Sequence, residues 1–220
     1  MRALLDTIMI SDAQQTQAEL TAAKIRTLIL NGSLQPGQPL RQDALSEQLS
    51  VSRTPLRHAL QALAEEGLVE TIGYKGARVI ELDRGMIDDL FEMRLLLEPV
   101  ALRSAFPQIT KLDLARAEMA LDAADAEGEP SRLSALNWDF HYALYRPSKR
   151  QMLLRTIEQL NRASALAEVI ASSIVARPKK SAAEHRRLLR ACQDGDETGA
   201  IAALGEHLQL AYHDIQTGEE

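Results

Sequence analysis

The chain has 220 residues, of which 45% are hydrophobic and 25% charged, so it can cover the cores of two small domains and is not a disordered polypeptide. Its formal net charge of −6 excludes a strongly basic protein, and its single cysteine excludes an intrachain disulfide framework and is consistent with a reducing cytoplasm. The apolar residues within 1–13 form too short and too interrupted a run for a membrane span or a signal peptide. We therefore expect a tail on a cytoplasmic protein that has no membrane partner.

The first predicted domain covers residues 14–82 and opens with a helix whose apolar residues recur every three to four positions. These residues are Ala18, Ala22, Ile25 and Ile29. The helix is predicted to end at Asn31-Gly32, which is a C-cap signal, and Pro36-Gly37 is predicted to form the following turn. A second short helix is expected at about 41–49. Its residues predicted to face inward are Ala44, Leu45 and Leu49.

A third helix is predicted to begin at Ser52, because a serine hydroxyl at the N-cap can accept an amide hydrogen bond and Pro55 falls in the first turn, where its missing N–H costs little. Arg53 and Arg57 lie four residues apart, on a different face from the core leucines. A helix in the major groove presents its first turns to the bases, and arginine can pair with O6 and N7 of guanine. Two isolated arginines would fit a solvated basic face better, but the flanking elements favour a recognition helix.

Two short β-like runs follow at residues 68–72 and 77–81, around Gly73-Tyr74-Lys75-Gly76, and they predict a hairpin that presents Lys75 with Arg78 close by. Such a hairpin can contact phosphates or the minor groove, so the order of elements predicts a winged helix-turn-helix. The predicted DNA-binding residues are Arg41, Ser52, Arg53, Thr54, Arg57, Lys75 and Arg78. Three acidic residues are expected to lie away from that surface: Glu65, Glu66 and Glu70.

Three motifs of this first domain have a specific order and spacing. They are Ile29-x-x-Gly32-x-x-x-Pro36-Gly37, Leu45-Ser46-Glu47-x-Leu49-x-Val51-Ser52-Arg53-Thr54-Pro55-Leu56-Arg57-x-Ala59-Leu60 and Glu66-Gly67-Leu68-Val69. Together they closely resemble the N-terminal domain of GntR-type bacterial transcription regulators. The chain departs from the family pattern at Ser50, where glycine is common in the turn, and at His58, where an acidic residue is common. Neither position lies on the predicted reading face.

The second predicted domain, residues 84–217, contains only helical patterns. The segment Leu82-Asp83-Arg84-Gly85 is the only non-periodic stretch before it, so the two domains should be closely coupled. Prolines and turn residues divide the domain into helices at roughly 86–104, 111–127, 131–146, 149–176, 180–194 and 196–216. The expected fold is mainly α: a winged helix-turn-helix followed by an all-α bundle of six to seven helices.

Three histidines of the bundle should point inward, because His141, His185 and His207 each share a helix face with apolar residues. Asn137 lies one turn before His141, so the two side chains can reach a common ion. Imidazole suits zinc, nickel, copper or iron, and helix bundles commonly assemble metal sites from facing helices. Each histidine alone fits an ordinary core or surface position better, and the spacing by itself leaves both interpretations open.

Three motifs surround these histidines. They are Asn137-x-x-Phe140-His141-x-Ala143-Leu144-Tyr145, Glu184-His185-x-x-Leu188-Leu189-x-Ala191-x-x-Asp194-Gly195-Asp196 and Glu206-His207-Leu208. They resemble the ligand-sensing FCD domain of the FadR subfamily of GntR regulators. The resemblance implies a divalent transition metal, with zinc or nickel favoured, held by Asn137, His141, His185 and His207, and an organic-acid or sugar-acid effector. The family usually has aspartate at the first position, so the neutral amide of Asn137 should hold the ion less tightly and leave more positive charge for an anion.

Arg94 is predicted at the edge of an apolar stripe, where a cation should meet an anion. Glu98, one turn later, is the simpler partner, and an effector carboxylate is the functional alternative. Trp138, Tyr142 and Tyr145 form an aromatic row that suits packing better than effector stacking.

The resulting hypothesis is a homodimeric transcription regulator, a repressor rather than an activator, that reads an inverted repeat in operator DNA and is not an enzyme. One alternative is a metal-dependent hydrolase with Asp139 or Glu184 as general base. Both carboxylates are expected to face away from the histidines, and an enzyme would have no use for Arg53 and Arg57. The other alternative is a DNA-binding protein whose bundle only dimerises.

Overall fold

A computed structural model of the protein describes residues 16–72, 76–172 and 178–217. The predictions for the tail at residues 1–13 and for Lys75 fall outside these residues. Within the described ranges the protein has nine α-helices, two short 3-10 helices and one small antiparallel sheet. The predicted mainly α fold, with a winged helix-turn-helix followed by a helical bundle, is confirmed.

The N-terminal domain begins with helix α1, Gln17–Leu30, which the sequence starts and stops by local chemistry. The Thr16 hydroxyl accepts the amide hydrogen of Glu19 while the Glu19 carboxylate accepts that of Thr16, so the two residues form a capping box. Asn31 is the C-cap, as predicted. These caps satisfy backbone groups that would otherwise be left without partners at the helix ends.

The helix-turn-helix consists of α2, Gln42–Leu49, and α3, Arg53–Glu65. Ser50 joins them in the left-handed conformation with φ 55°, a region in which a residue with a Cβ is strained and glycine is not. The family's common glycine at this turn therefore has a direct conformational explanation.

Three strands form the wing: β1, Pro39–Leu40; β2, Val69–Thr71; and β3, Ala77–Val79. All pairs are antiparallel and the order is β1-β3-β2, so the predicted hairpin of β2 and β3 is confirmed. Strand β1 was not predicted from the sequence. It is only two residues long and pairs with β3, a partner 37 or more residues along the chain that no local pattern reveals.

The core of the N-terminal domain is apolar and continuous between α1, α3 and the wing. Its most deeply buried members include Ile25, Ile29, Leu40, Leu56, Leu63 and Val79. Of the residues predicted to face inward from α2, Leu45 is buried and Leu49 partly buried, but Ala44 is exposed, so that prediction was wrong. Leu166, from the C-terminal domain, is fully buried in this same core, which ties the two domains together.

The C-terminal domain is a bundle of six α-helices, as predicted. They are α4, Arg84–Ala105; α5, Lys111–Asp125; α6, Pro130–Tyr145; α7, Gln151–Ser172; α8, Pro178–Gln193; and α9, Glu197–Thr217. Side chains cap several of them, as when Glu129 accepts the amides of Ser131 and Arg132 at the start of α6. No helix in the described part of the chain is long and apolar enough to cross a bilayer.

Candidate functional site

The predicted recognition face lies on α3 and is open to solvent. The side chains of Arg53, Thr54 and Arg57 are exposed, and Arg41 is exposed at the start of α2. The Arg53 guanidinium forms an ion pair with Asp43 of α2, with Nη2 2.8 Å from Oδ1. Both partners are largely in water, where such a pair contributes little to stability. Arg53 is therefore oriented by Asp43 and still accessible from outside.

Ser52 is the N-cap of α3, so the predicted helix start is confirmed, but its hydroxyl makes no capping hydrogen bond. The expectation that this hydroxyl would accept an amide was wrong. The side chain is exposed, and the backbone carbonyl of Ser52 accepts the first intrahelical hydrogen bond of α3, from the amide of Leu56. Its use in DNA binding stays a prediction.

Arg78 on the wing has an acidic neighbour that the sequence analysis placed elsewhere. The register of β2 and β3 sets Glu70 opposite Arg78, and Nε of Arg78 lies 2.5 Å from Oε1 of Glu70. The expectation that Glu70 lies away from the basic surface was therefore wrong, because antiparallel pairing places residues from two strands side by side. Both side chains are 41% exposed, so the pair stays in contact with solvent.

Three histidines from three helices meet in the centre of the bundle. His141 on α6, His185 on α8 and His207 on α9 are 1%, 5% and 4% exposed, so the prediction that they point inward is confirmed. One nitrogen from each ring lies within 4.8 Å of those of the other two rings, and Nε2 of His185 is 3.2 Å from Nε2 of His207. We call these three residues the histidine centre.

Hydrogen bonds on the far side of two of these rings decide which nitrogen faces the centre. The Tyr145 hydroxyl donates to Oε2 of Glu98 at 2.8 Å, so it can only accept from Nδ1 of His141, 3.1 Å away. Nδ1 of His207 lies 2.8 Å from Oε2 of Glu184, a carboxylate that only accepts when ionised. Both rings therefore carry hydrogen on Nδ1 and turn Nε2 toward the centre. In the neutral ring that Nε2 has no hydrogen, which is the form in which imidazole binds a metal.

The geometry and chemistry of the centre fit a cation. Nε2 of His141 is buried, and within the described residues it has no hydrogen-bond partner. Buried polar atoms without partners are rare, and each calls for an explanation such as an ion. Nitrogens about 3 Å apart are also at the spacing of two ligands on one zinc ion, given Zn–N bonds of about 2.0–2.1 Å. The Ser181 hydroxyl lies 3.5 Å from Nδ1 of His185, behind the third ring.

Burial fixes the charge of two groups beside the centre. The pKa of His141 is held well below its usual value by desolvation and by the nearby His185, His207 and Arg94. Burial first, and then the negative charge of Glu98, raises the pKa of Tyr145 well above its usual value. His141 is therefore neutral, with no hydrogen on Nε2, and Tyr145 keeps the proton that it donates to Glu98.

Asn137 was predicted as a fourth ligand, and the structure gives its amide a different contact. Its Nδ2 donates to Oδ1 of Asn161 on α7, at 3.3 Å. A bond through Nδ2 leaves the carbonyl oxygen as the atom with which Asn137 would approach a cation. Its role as a ligand stays a prediction.

Arg94 forms the intrahelical pair that the sequence analysis considered the simpler answer. Its Nε lies 2.7 Å from Oε1 of Glu98, both side chains are at most 3% exposed, and Nη1 donates to the Ser164 hydroxyl at 2.7 Å. Because Glu98 also accepts from Tyr145, a continuous polar chain runs from Ser164 through Arg94, Glu98 and Tyr145 to the histidine centre. The role of Arg94 in effector binding stays a prediction.

Sequence reasoning missed three residues of this network. Tyr145 could have been found, because it follows His141 by one helical turn. Glu184 and Ser164 carry no such signal, since the partners that they contact are distant in the chain. The aromatic row is split: Trp138 and Tyr142 pack with ring centroids 5.4 Å apart beside the core, as expected, while Tyr145 belongs to the polar chain.

Comparison with known proteins covers both domains. Residues 17–79 match the model for bacterial regulatory proteins of the gntR family, and residues 89–210 match the FCD domain. The chain is 35% identical over 128 residues to the Nta operon transcriptional regulator of Aminobacter aminovorans, a match covering 57% of this chain and 61% of that protein. It is 31% identical over 171 residues to the Glc operon transcriptional activator of Escherichia coli K12, covering 68% and 67%. The solved structure of E. coli McbR/YncC is similar in fold, with a TM-score of 0.79 and 23% identity over 94% of this chain and 100% of that chain.

The neutral state of His141 predicts a pH dependence of stability in metal-free protein. Unfolded chains take up a proton at this residue near pH 6.5, whereas the folded protein takes it up only at much lower pH. The unfolded state therefore binds more protons than the folded state below about pH 6.5. As the pH falls through this range, the free energy of unfolding decreases by up to about 1.4 kcal/mol per pH unit for one proton. Urea unfolding in chelator between about pH 7.5 and about pH 5 should show a smaller loss in His141→Gln than in wild type. The exposed His58→Gln variant is the control, and an equal loss in all three proteins would contradict the assignment.

Proposed function

Because this chain belongs to the GntR family of bacterial transcription regulators and carries an FCD domain behind its DNA-binding domain, we propose that it is a homodimeric repressor whose operator affinity is set by a small organic acid or sugar acid bound at a metal centre. The observation that carries this proposal is the convergence of three buried imidazoles, two of them with the metal-binding nitrogen aimed inward. The protein would act in the cytoplasm, where operator DNA is found.

The DNA-binding half of the proposal depends on the first turns of α3. Arg53 and Arg57 project from that end of the helix, and guanine can accept two hydrogen bonds from an arginine. Asp43 holds Arg53 through a solvent-exposed ion pair, which DNA can displace at little cost. We propose that Thr54 and Ser52, which are exposed beside them, contact phosphates together with Arg41 on the neighbouring helix and Arg78 on the wing.

The proposal of a dimer rests on the DNA-binding domain having no net charge. Residues 14–82 contain as many acidic as basic residues, so one domain should have little non-specific affinity for the phosphate backbone. Two recognition helices related by a two-fold axis would bind two half-sites of an inverted repeat and multiply the selectivity of each. Repression is the simpler outcome, since occupying promoter DNA blocks transcription without contacts to polymerase.

The sensing half of the proposal depends on the histidine centre. His141, His185 and His207 would hold a divalent ion, zinc or nickel, with the Asn137 carbonyl oxygen as the fourth ligand. Such an ion supplies a positive charge with coordination positions open to a carboxylate. Tyr145 and Glu184 orient two of the rings from behind, which sets the direction in which those rings face the centre.

Arg94 is the residue proposed to meet the effector from the protein side. A guanidinium has five N–H donors, and the bonds to Glu98 and Ser164 use two of them. An effector carboxylate near the histidine centre would therefore have a cation within the same polar network. The buried ion pair with Glu98 keeps Arg94 in place without requiring an effector.

The hydrolase alternative is disfavoured by the positions of the two carboxylates. Glu184 contacts Nδ1 of His207, on the side of the ring away from Nε2, and Asp139 is exposed to solvent. Neither carboxylate lies where a general base would activate metal-bound water. The alternative of a bundle that only dimerises is separated from the proposal by the metal experiment below.

Arg57→Ala should weaken selective DNA binding. A duplex selected from a random library by the wild-type protein serves as the probe, and loss of one arginine contact to a base should reduce its affinity by about 1–3 kcal/mol with a smaller effect on unselected DNA. Arg103→Ala is the control, since Arg103 is an exposed arginine on α4 outside the DNA-binding domain. Unchanged selectivity in an Arg53→Ala/Arg57→Ala double variant would rule out α3 as the reading element.

Zinc should bind the wild-type protein at one ion per chain, measured by calorimetry and elemental analysis. His207→Ala should abolish this binding, and Tyr145→Phe should weaken it about 10–100-fold because the orienting hydrogen bond is lost. His213→Ala is the matched control, an exposed histidine on the same helix as His207. Asn137→Asp should tighten binding by adding a charged ligand. Wild-type protein without stoichiometric zinc affinity would favour a bundle that only dimerises.

A further inference from the structure

Helix α7 of the C-terminal domain contacts the C-terminal end of the recognition helix, α3. The Gln159 side chain donates through Nε2 to the backbone carbonyl of Glu65, the last residue of α3, at 3.4 Å. Nη1 of Arg162 lies 3.4 Å from Oε2 of Glu66, the C-cap of α3. A cation and a hydrogen-bond donor at a helix C-terminus stabilise the carbonyls and the partial negative charge found there. Helix α7 therefore supplies part of the cap of the recognition helix.

The C-cap carboxylate of α3 is held from two sides. Arg26 of α1 binds Glu66 with two hydrogen bonds, Nε to Oε2 at 2.9 Å and Nη2 to Oε1 at 2.6 Å. Arg162 approaches the same carboxylate from the other domain. Arg26 alone already gives Glu66 two charged hydrogen bonds within the N-terminal domain, so Arg162 adds a second, interdomain contact. The contact with Arg162 links the end of α3 to the C-terminal domain.

A third contact on the same face of α7 is apolar. Leu166 is fully buried within the core of the DNA-binding domain. At about 100° per residue, positions 159, 162 and 166 fall on one side of a helix. One face of α7 therefore contacts the DNA-binding domain through a hydrogen bond, an ion pair and a buried apolar side chain.

The opposite face of α7 contacts residues that lead to the histidine centre. Asn161 accepts from the amide of Asn137, and Ser164 accepts from the guanidinium of Arg94. Both residues of α7 are at most 5% exposed, so these contacts are made inside the bundle. Asn137 precedes His141 by one turn of α6. Arg94 is connected to His141 by three successive hydrogen bonds, through Glu98 and Tyr145. Both sensing contacts of α7 therefore lead to the histidine centre.

We infer that α7 is the element that transmits the state of the histidine centre to the recognition helix, with Asn161 and Ser164 as its sensing contacts and Gln159 and Arg162 as its output contacts. The inference rests on the proposed function in that the centre must respond to a ligand. A single helix moves as a rigid body over a few turns, so a displacement on its sensing face carries the output face with it. Gln159 and Arg162 are positioning residues for α3 and do not themselves touch DNA.

Amide hydrogen exchange in the full-length protein tests the inference without any ligand. Ser164→Ala removes the hydroxyl that Arg94 contacts, and it should raise exchange several-fold at the C-terminal turn of α3. Thr156→Val is the matched control, since it removes a hydroxyl on the same helix that donates to the carbonyl of Met152, one turn earlier. Ser164→Thr keeps a hydroxyl and should restore the wild-type rate.

The output contacts are tested in the same measurement. In a Gln159→Leu/Arg162→Met background, adding Ser164→Ala should cause no further change at α3. Exchange at α3 that is unchanged by Ser164→Ala in the otherwise wild-type protein, while peptides around Arg94 respond, would overturn the inference. A response of α3 that survives loss of both output contacts would overturn it as well.

Zinc chloride provides a second arm that separates this inference from the proposed metal site. Zinc should protect peptides around His141, His185 and His207 in every variant. It should change exchange at α3 in wild type and in Arg155→Met, an exposed arginine on α7, but not in Gln159→Leu/Arg162→Met. A zinc effect on α3 that persists in that double variant would contradict the inference. No protection at the histidines in wild type would instead contradict the metal site, and the Ser164 arm then decides the inference alone.

Discussion

The hydrogen bond between Nδ1 of His141 and the Tyr145 hydroxyl is the contact on which the proposed metal site depends. Tyr145 gives its own proton to Glu98, so it accepts one from the ring and turns a bare Nε2 toward the other two histidines. Arg94 neutralises Glu98, and a buried ion pair is tolerated when both charges have partners. A ring of the opposite tautomer would present a hydrogen to the centre, and the three nitrogens could not share a cation.

The same series of polar contacts connects the histidine centre to helix α7, which also contacts the recognition helix. The series of hydrogen bonds ends where Arg94 donates to Ser164 of helix α7. The other face of α7 contacts the C-terminal end of the recognition helix. The contact between the two domains is made by both polar and apolar groups. Leu166 is buried in the core of the DNA-binding domain, while Gln159 and Arg162 lie at the C-terminal end of α3. Hydrogen-bond donors and cations are favourable at a helix C-terminus.

Much of the fold could be predicted from the sequence because its signals are local. Helix periodicity and turn residues located all six bundle helices and the recognition helix, and alternating residues around a glycine-rich turn located the wing. The errors concern contacts between distant segments: strand β1 against β3, Glu70 beside Arg78, and Ala44, which shares a helix with core residues but faces solvent. The histidines were identified from apolar neighbours and family motifs, whereas Glu184 and Ser164 depend on how helices pack, which one sequence does not encode locally.

X-ray absorption spectroscopy at the zinc K edge of the zinc-loaded, full-length protein tests the central claim most directly. The claim is that the three imidazoles, oriented from behind by protein hydrogen bonds, form one coordination site. The account predicts a shell of nitrogen and oxygen ligands at about 2.0–2.1 Å, with the outer-shell scattering of three imidazole rings. A spectrum without imidazole scattering, or with a sulfur ligand at about 2.3 Å, would contradict it.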